Sequence, residues 1–169
     1  MITVNARNHR FSAGYTLVEL IIYFALVSML FIQLTSLFIT VLDAKKDTQA
    51  LASVEREGQF VYSRMLYDIS RAEALLEPAT LGETSNRIRL TIDGVEYIYE
   101  VSGSLLTLSV GGVTTPLHTS TQATEFTATR LGKIGGMHTV QLQFRLTSPI
   151  QEATGSETRL YQTTVGLRQ

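Results

Sequence analysis

The sequence predicts an α+β protein: a long N-terminal helix, apolar in its first half and amphipathic in its second, packed on an antiparallel β sheet. Three observations predict it. Residues 20–42 contain no formally charged side chain over 23 positions, and about 20 helical residues suffice to cross a hydrocarbon core. Apolar residues then recur every three or four positions from Leu51 to Leu76, the period of one helix face. Beyond Pro78 the pattern changes to alternation, punctuated by Asp93-Gly94 and Ser102-Gly103, dipeptides suited to tight hairpins.

These boundaries divide the chain into a basic leader (1–14), an apolar helix (15–42), an amphipathic helical stem (43–77) and a β domain (78–169). Charge is distributed unevenly. Residues 1–14 hold two Arg and no acid, residues 15–77 hold eight acids against five bases, and residues 78–169 hold seven of each. With a net charge of −1 there is no electrostatic footprint for nucleic acid. The chain has no cysteine, which excludes disulfide staples, Cys-based metal sites, Cys nucleophiles and a lipid-attachment thiol.

Arg7 and Arg10 precede the apolar segment. Positive charge before a first span stays in the cytoplasm, so the expected orientation is N-terminus inside, C-terminal domain outside. The run is too long for a secretory signal, whose apolar region is roughly 7–15 residues and is followed by a small-residue cleavage site; Leu42-Asp43-Ala44-Lys45 is a poor one. The small residues Ser12-Ala13-Gly14 lie before the apolar segment instead, and a cut there would leave the helix on the mature protein.

Glu19 is the discriminating residue. An acid at the centre of a membrane helix costs upward of about 2.5 kcal/mol, less near the interface, so it calls for a partner. A cut after Gly14 would give Tyr15 a free α-amino group, four residues from Glu19 on the same helical face. That cationic amine could neutralise Glu19 in its own chain or in a neighbour.

Gly14 followed by Tyr15-Thr16-Leu17-Val18-Glu19-Leu20, behind a short basic leader and at the head of an apolar helix, resembles the prepilin-type N-terminus of type IV pilins and type II secretion pseudopilins. The resemblance implies cleavage between Gly14 and Tyr15, N-methylation of Tyr15, and a role for Glu19 in docking to a neighbouring subunit. The partners it implies are a prepilin peptidase/methylase, other pilin or pseudopilin subunits, an inner-membrane assembly platform, and membrane lipid before assembly. Tyr15 stands where the family most often has Phe. No Pro lies near Ser36, where major pilins commonly carry one, and this leans towards a minor subunit.

In the stem the expected buried stripe is Leu51, Val54, Gly58, Val61, Met65, Ile69, Ala72 and Leu76. Pro78 is expected to close the helix, because the residue before a proline is disfavoured in the helical region. In the β domain, strands 87–92, 95–101 and 105–110 are expected to form a meander. The first hairpin should pair Ile92 with Val95, Leu90 with Tyr97 and Ile88 with Tyr99. The second should pair Tyr99 with Leu106, Tyr97 with Leu108 and Val95 with Val110. Residues 113–116 are expected as an edge strand or loop. Further strands are expected at 125–131, 138–146 and 159–167, as a second sheet or an extension of the first, with a polar loop over 149–157.

No enzymatic or cofactor-binding motif stands out. There is no G-x-S-x-G, P-loop or H-E-x-x-H pattern. A metal pair between His118 and His138 weighs less than two surface or turn histidines. Glu96 and Glu100 are solvated outward residues on one strand, and the stretch from Gly132 to Gly136 is a hairpin tip. The expected function is therefore structural: a subunit cleaved in the cytoplasmic membrane and assembled into an extracytoplasmic filament for secretion, DNA uptake or adhesion. The alternative is a permanently anchored extracellular binding module that keeps its N-terminal segment.

Overall fold

The computed structural model describes residues 15–133, 138–152 and 155–167. The chain divides into two compact units at the Leu42–Asp43 boundary. Helix α1 is the run Leu17–Arg71, and its two portions belong to different units.

In the first unit, residues 17–42 are helical, and their apolar side chains, from Leu17 to Leu42, are exposed. This is a helix long and apolar enough to cross a membrane. Its polar residues are handled locally. Ser28, Thr35 and Thr40 donate their hydroxyls to the carbonyls of Phe24 (2.7 Å), Phe31 (2.8 Å) and Ser36 (3.0 Å). Each bond runs one turn back along the helix and removes a donor that hydrocarbon could not satisfy.

In the second unit, residues 43–71 of α1 bury Ala50, Val54, Gly58, Val61, Met65, Asp68 and Ile69. The expected stripe is right at its centre and departs at both ends. Ala50 takes the place of Leu51, which is exposed. The helix stops at Arg71, and Ala74–Glu77 is strand β1, not a last helical turn. Burial there switches to period two, with Leu75 inside and Leu76 outside. The switch occurs because Ala74 and Leu75 join a ladder, opposite Thr91 and Leu90. Ladder bonds replace helical ones, and Pro78 closes the strand.

The other strands are β2 (Thr84–Ser85), β3 (Arg87–Ile92), β4 (Val95–Ser102), β5 (Leu105–Val110), β6 (Val113–Pro116), β7 (Gln122–Gly132), β8 (His138–Glu152) and β9 (Gly155–Gly166). They form two antiparallel sheets, ordered β1-β3-β4-β5-β6 and β2-β7-β8-β9, so the last three strands build a second sheet. The β3–β4 register is the expected one, closed by Ile92↔Val95. Asp93 and Gly94 both have positive φ, 52° and 73°, as the favoured two-residue turn requires.

The β4–β5 register differs from expectation by two residues, pairing Tyr99 with Leu108 and Tyr97 with Val110. Ser102 pairs with Leu105, so the loop is Gly103-Ser104, with Gly103 at φ 65° in its first position. Serving as the first loop residue is what that glycine permits. A shift of two keeps every side chain on its expected face. Hence Ile88, Leu90, Ile92, Tyr99, Leu106 and Leu108 are buried as anticipated, while Val95 stays exposed. The expected loop over 149–157 is largely strand, since β8 runs to Glu152 and β9 starts at Gly155.

Both sheets and the 43–71 helix contribute to one core, which includes Val61, Met65, Ile69, Ile88, Tyr99, Leu142, Phe144 and Tyr161. Against it lies Asp68, the one buried acid among the described residues, at 1% exposed. Asp68 accepts hydrogen bonds from the fully buried Tyr99 hydroxyl and from Arg64 Nε (2.8 Å for the arginine). Burial, reinforced by the neighbouring Asp68, pushes the Tyr99 hydroxyl pKa far up; it remains a donor at any ordinary pH.

Candidate functional site

The site proposed from the sequence begins at the head of α1. Gly14, the expected cleavage residue, lies outside the described residues, as does the leader. Tyr15 is exposed just before the helix, its ring edge-on to Tyr23 with centroids 6.5 Å apart. Glu19 lies in the first helical turn and is half-buried among exposed apolar neighbours.

The local geometry explains why the helix starts there. Thr16 Oγ1 accepts the Glu19 N–H at 3.2 Å, and the Thr16 carbonyl accepts the first intrahelical bond, from the Leu20 N–H at 3.1 Å. Thr16 is thus the N-cap, and Thr16-Leu17-Val18-Glu19 has the spacing of a capping box. An acid in the first turn is also favoured by the helix dipole, by about 0.3–1 kcal/mol at exposed sites. The sequence contained this T-x-x-E signal directly, yet the expectation for Glu19 considered only a partner amine. A local role for the acid therefore stands beside the intermolecular one.

A second polar cluster sits on the globular unit. Glu57, on the 43–71 helix, reaches the loop after β6. Its Oε1 accepts the backbone N–H groups of Thr119 (3.1 Å) and Ser120 (2.9 Å), and its Oε2 accepts the Thr121 hydroxyl (2.7 Å). His118 opens this loop and is buried, so of the surface or turn placement expected for it only the surface part is corrected. Its Nε2 accepts the Leu106 N–H at 2.9 Å, so Nδ1 carries the proton and donates to the Thr121 carbonyl at 3.1 Å.

A hydroxyl, an imidazole and a carboxylate meet here, but they are not arranged for nucleophilic catalysis. Such a triad needs an imidazole nitrogen free to take the hydroxyl proton. Both His118 nitrogens are committed to backbone groups, and the Thr121 hydroxyl points its proton at Glu57. The cluster is a clamp that pins the 118–121 loop to the helix. Burial holds the His118 pKa below its ordinary value, opposed by the charge of Glu57.

For Glu57, partial burial raises the carboxyl pKa, but the bonds from Thr121, Ser120 and Thr119 outweigh it, and the net shift is downward from 4.5. A depressed carboxylate stabilises the fold above its unfolded pKa and loses that contribution as pH falls through the folded value. The Thr119 and Ser120 amides are therefore expected to be protected from hydrogen exchange at neutral pH and to lose protection only as the pH falls past 4.5 and through the lowered Glu57 pKa. In Glu57→Gln their exchange, corrected for intrinsic rates, should show no such acid-induced step; an unchanged step in that variant would assign the titration elsewhere.

The other acids noted in the sequence are paired or outward. Glu96 accepts from Arg89 Nε at 2.7 Å across the β3–β4 ladder, and Glu100 is half-exposed on the same strand. His118 and His138 belong to different sheets' surroundings, and among the described residues no group of three or more metal-ligating side chains converges. No known protein family, curated protein or solved structure matches the chain.

Proposed function

We propose that this chain is a structural subunit of a type IV pilus-like filament, a minor pilin or pseudopilin, inserted in the cytoplasmic membrane and cleaved between Gly14 and Tyr15. The observation that carries the proposal is Glu19, an acid one turn into a helix whose following 23 residues are uncharged and exposed. An exposed apolar surface of this extent needs a cover. Lipid supplies one before assembly and neighbouring helices supply another afterwards. The amine that cleavage would create at Tyr15 provides Glu19 with a cation at the same depth, in its own chain or the next. The prepilin-like residues 12–20 add the processing chemistry to that physical argument.

One observation favours the second reading, a leader-retaining membrane anchor. The Thr16 cap and first-turn position give Glu19 a local use that needs no cleavage. The two readings part at the N-terminus. Co-expression with a prepilin peptidase is expected to shorten the chain by the mass of residues 1–14, and Gly14→Val to abolish the shortening, as read by intact mass. Glu19→Ala should still be cleaved yet enter filaments poorly, as measured by its share in sheared filament fractions. Full-length protein alone, under conditions that process a known prepilin, would leave the anchored module standing.

A further inference from the structure

The two sheets expose four edges, and three are blunted. Strand β2 has two residues and meets β7 only at Thr84↔Thr129 and Ser85↔Ala128. The same side of β7 is engaged further by the Ala123 N–H on the Ser104 carbonyl and by Arg130 with Gly82 and Glu83. Strand β1 has four residues and a register break at Leu75/Glu77, and β6 has four and ends in Pro116. The fourth edge is β9, which has 12 residues, pairs among the described residues only with β8, keeps an unbroken register from Thr158 to Gly166 beyond the irregularity at Thr147/Gln151, and contains neither Pro nor Lys. Long edges without proline, lysine or a bulge present unpaired backbone groups to any strand that arrives.

The phase of the β8–β9 ladder identifies those groups. Leu167 donates its N–H to the His138 carbonyl at 3.0 Å. Hydrogen-bonded and non-hydrogen-bonded pairs alternate along an antiparallel ladder. The bonded pairs are therefore Val140↔Val165, Leu142↔Thr163, Phe144↔Tyr161 and Leu146↔Arg159. The intervening residues, Leu160, Gln162 and Thr164, turn both N–H and C=O to the open side. Their side chains lie on the exposed face, and Leu160 is 44% exposed. The one cation along this segment, Arg159, is already paired with Glu55.

We propose that the open side of β9 accepts an extended, uncharged strand from another polypeptide chain by backbone hydrogen bonding to Leu160, Gln162 and Thr164. The unpaired donors and acceptors specify a strand, since a helix has its own satisfied internally. The flanking Thr158, Leu160, Gln162 and Thr164 offer a charge no partner, so an uncharged sequence is favoured. A symmetric β9–β9 pair is the competing occupant, and it would show as protection of the same amides that rises with protein concentration. The proposal does not depend on cleavage at Gly14.

The test uses the full chain in detergent micelles and amide exchange followed residue by residue. The probe is a synthetic peptide of residues 139–147 carrying Arg145→Gln, with a Gln143→Pro version as control. Without peptide, Leu160, Gln162 and Thr164 amides should exchange at least about tenfold faster than those of Tyr161, Thr163 and Val165. The peptide should slow the first set by a similar factor and leave the second unchanged, and the proline version should do neither. In the protein, Gln162→Pro removes a donor from the open side alone, where proline is tolerated, and Leu160→Lys adds an edge guard. Each should weaken peptide binding at least about tenfold while β8–β9 protection persists. Slow exchange of the first set without peptide, whether intrinsic or arising with protein concentration, overturns the proposal; so does peptide binding that protects none of them.

Discussion

Asp68→Ala is expected to destabilise the globular unit by about 2–3 kcal/mol, read as a lowered unfolding midpoint of the full chain in detergent micelles. The magnitude follows from what each partner loses. Tyr99 is completely buried, so its hydroxyl would be left without an acceptor, at about 1–3 kcal/mol for an unsatisfied buried donor. Arg64 loses less, because its side chain is 40% exposed and its guanidinium can turn to water. For that reason the cost stays below the 3–5 kcal/mol typical of breaking a fully buried ion pair. Adding Tyr99→Phe removes the orphaned hydroxyl, and the double variant is expected to recover about 1 kcal/mol or more. If Asp68→Ala/Tyr99→Phe were as unstable as the sum of the two single variants, the hydrogen bond would not be what Asp68 is there to make.

That acid shows why part of the core escaped the sequence. Hydrophobic periodicity finds apolar positions, and Val54, Val61, Met65 and Ile69 on the helix and Val140, Leu142, Phe144 and Leu146 on β8 are all buried as their spacing implies. A buried polar residue carries no such label. Asp68 sits three residues after Met65 and beside Ile69, on the inner face by helical geometry, with Arg64 one turn back as a hint of its partner. Strand β1 was missed for a related reason. Ala72 and Leu76 continue a helical period on paper, and only the ladder to β3 converts that stretch to alternation. The β4–β5 register departs from the one a Ser102-Gly103 loop implies, because the glycine is the first loop residue and Ser102 pairs with Leu105. Parity survives the shift, so the face assignments do too.

At the N-terminus the start of the helix is legible in the sequence itself. The spacing Thr16-x-x-Glu19 is short-range and needs no partner chain to interpret. Thr16 caps the helix through the Glu19 N–H, and the first-turn position lowers the local cost of the acid, while neither explains why the helix behind it should stay apolar and exposed for 23 residues. The cap accounts for where α1 begins, and the proposed assembly accounts for what the rest of residues 17–42 is for. Glu19→Gln separates the two uses. Glutamine keeps the Thr16 cap bond to the backbone N–H but loses both the charge pair and the dipole interaction, so a filament defect in a variant whose helicity in micelles is unchanged by circular dichroism would belong to the intermolecular role.

Gly58→Ala is expected to invert the usual effect of replacing a helical glycine. At an open helix position the change stabilises by about 1 kcal/mol, because alanine loses less backbone entropy. Here the hydroxyl end of the Tyr161 ring lies against Gly58, and an added Cβ would overlap its Cζ, Oη and Cε2 atoms. The ring has little room to yield. It stacks on Phe144 with centroids 4.9 Å apart and planes 12° from parallel, and its hydroxyl donates to the Val54 carbonyl at 3.0 Å. Overpacking of this kind costs about 1–3 kcal/mol, and displacing the ring also forfeits a buried hydrogen bond worth about 1 kcal/mol. The net expectation is a loss of about 1–3 kcal/mol after the helix-propensity gain. The sign should reverse in a Tyr161→Ala background, where the same Gly58→Ala change meets no ring and should stabilise relative to Tyr161→Ala alone. Thermal unfolding of the four proteins in micelles measures the coupling. Additive effects would mean that the tyrosine does not rest on the glycine, and that the close approach of β9 to the helix has some other basis.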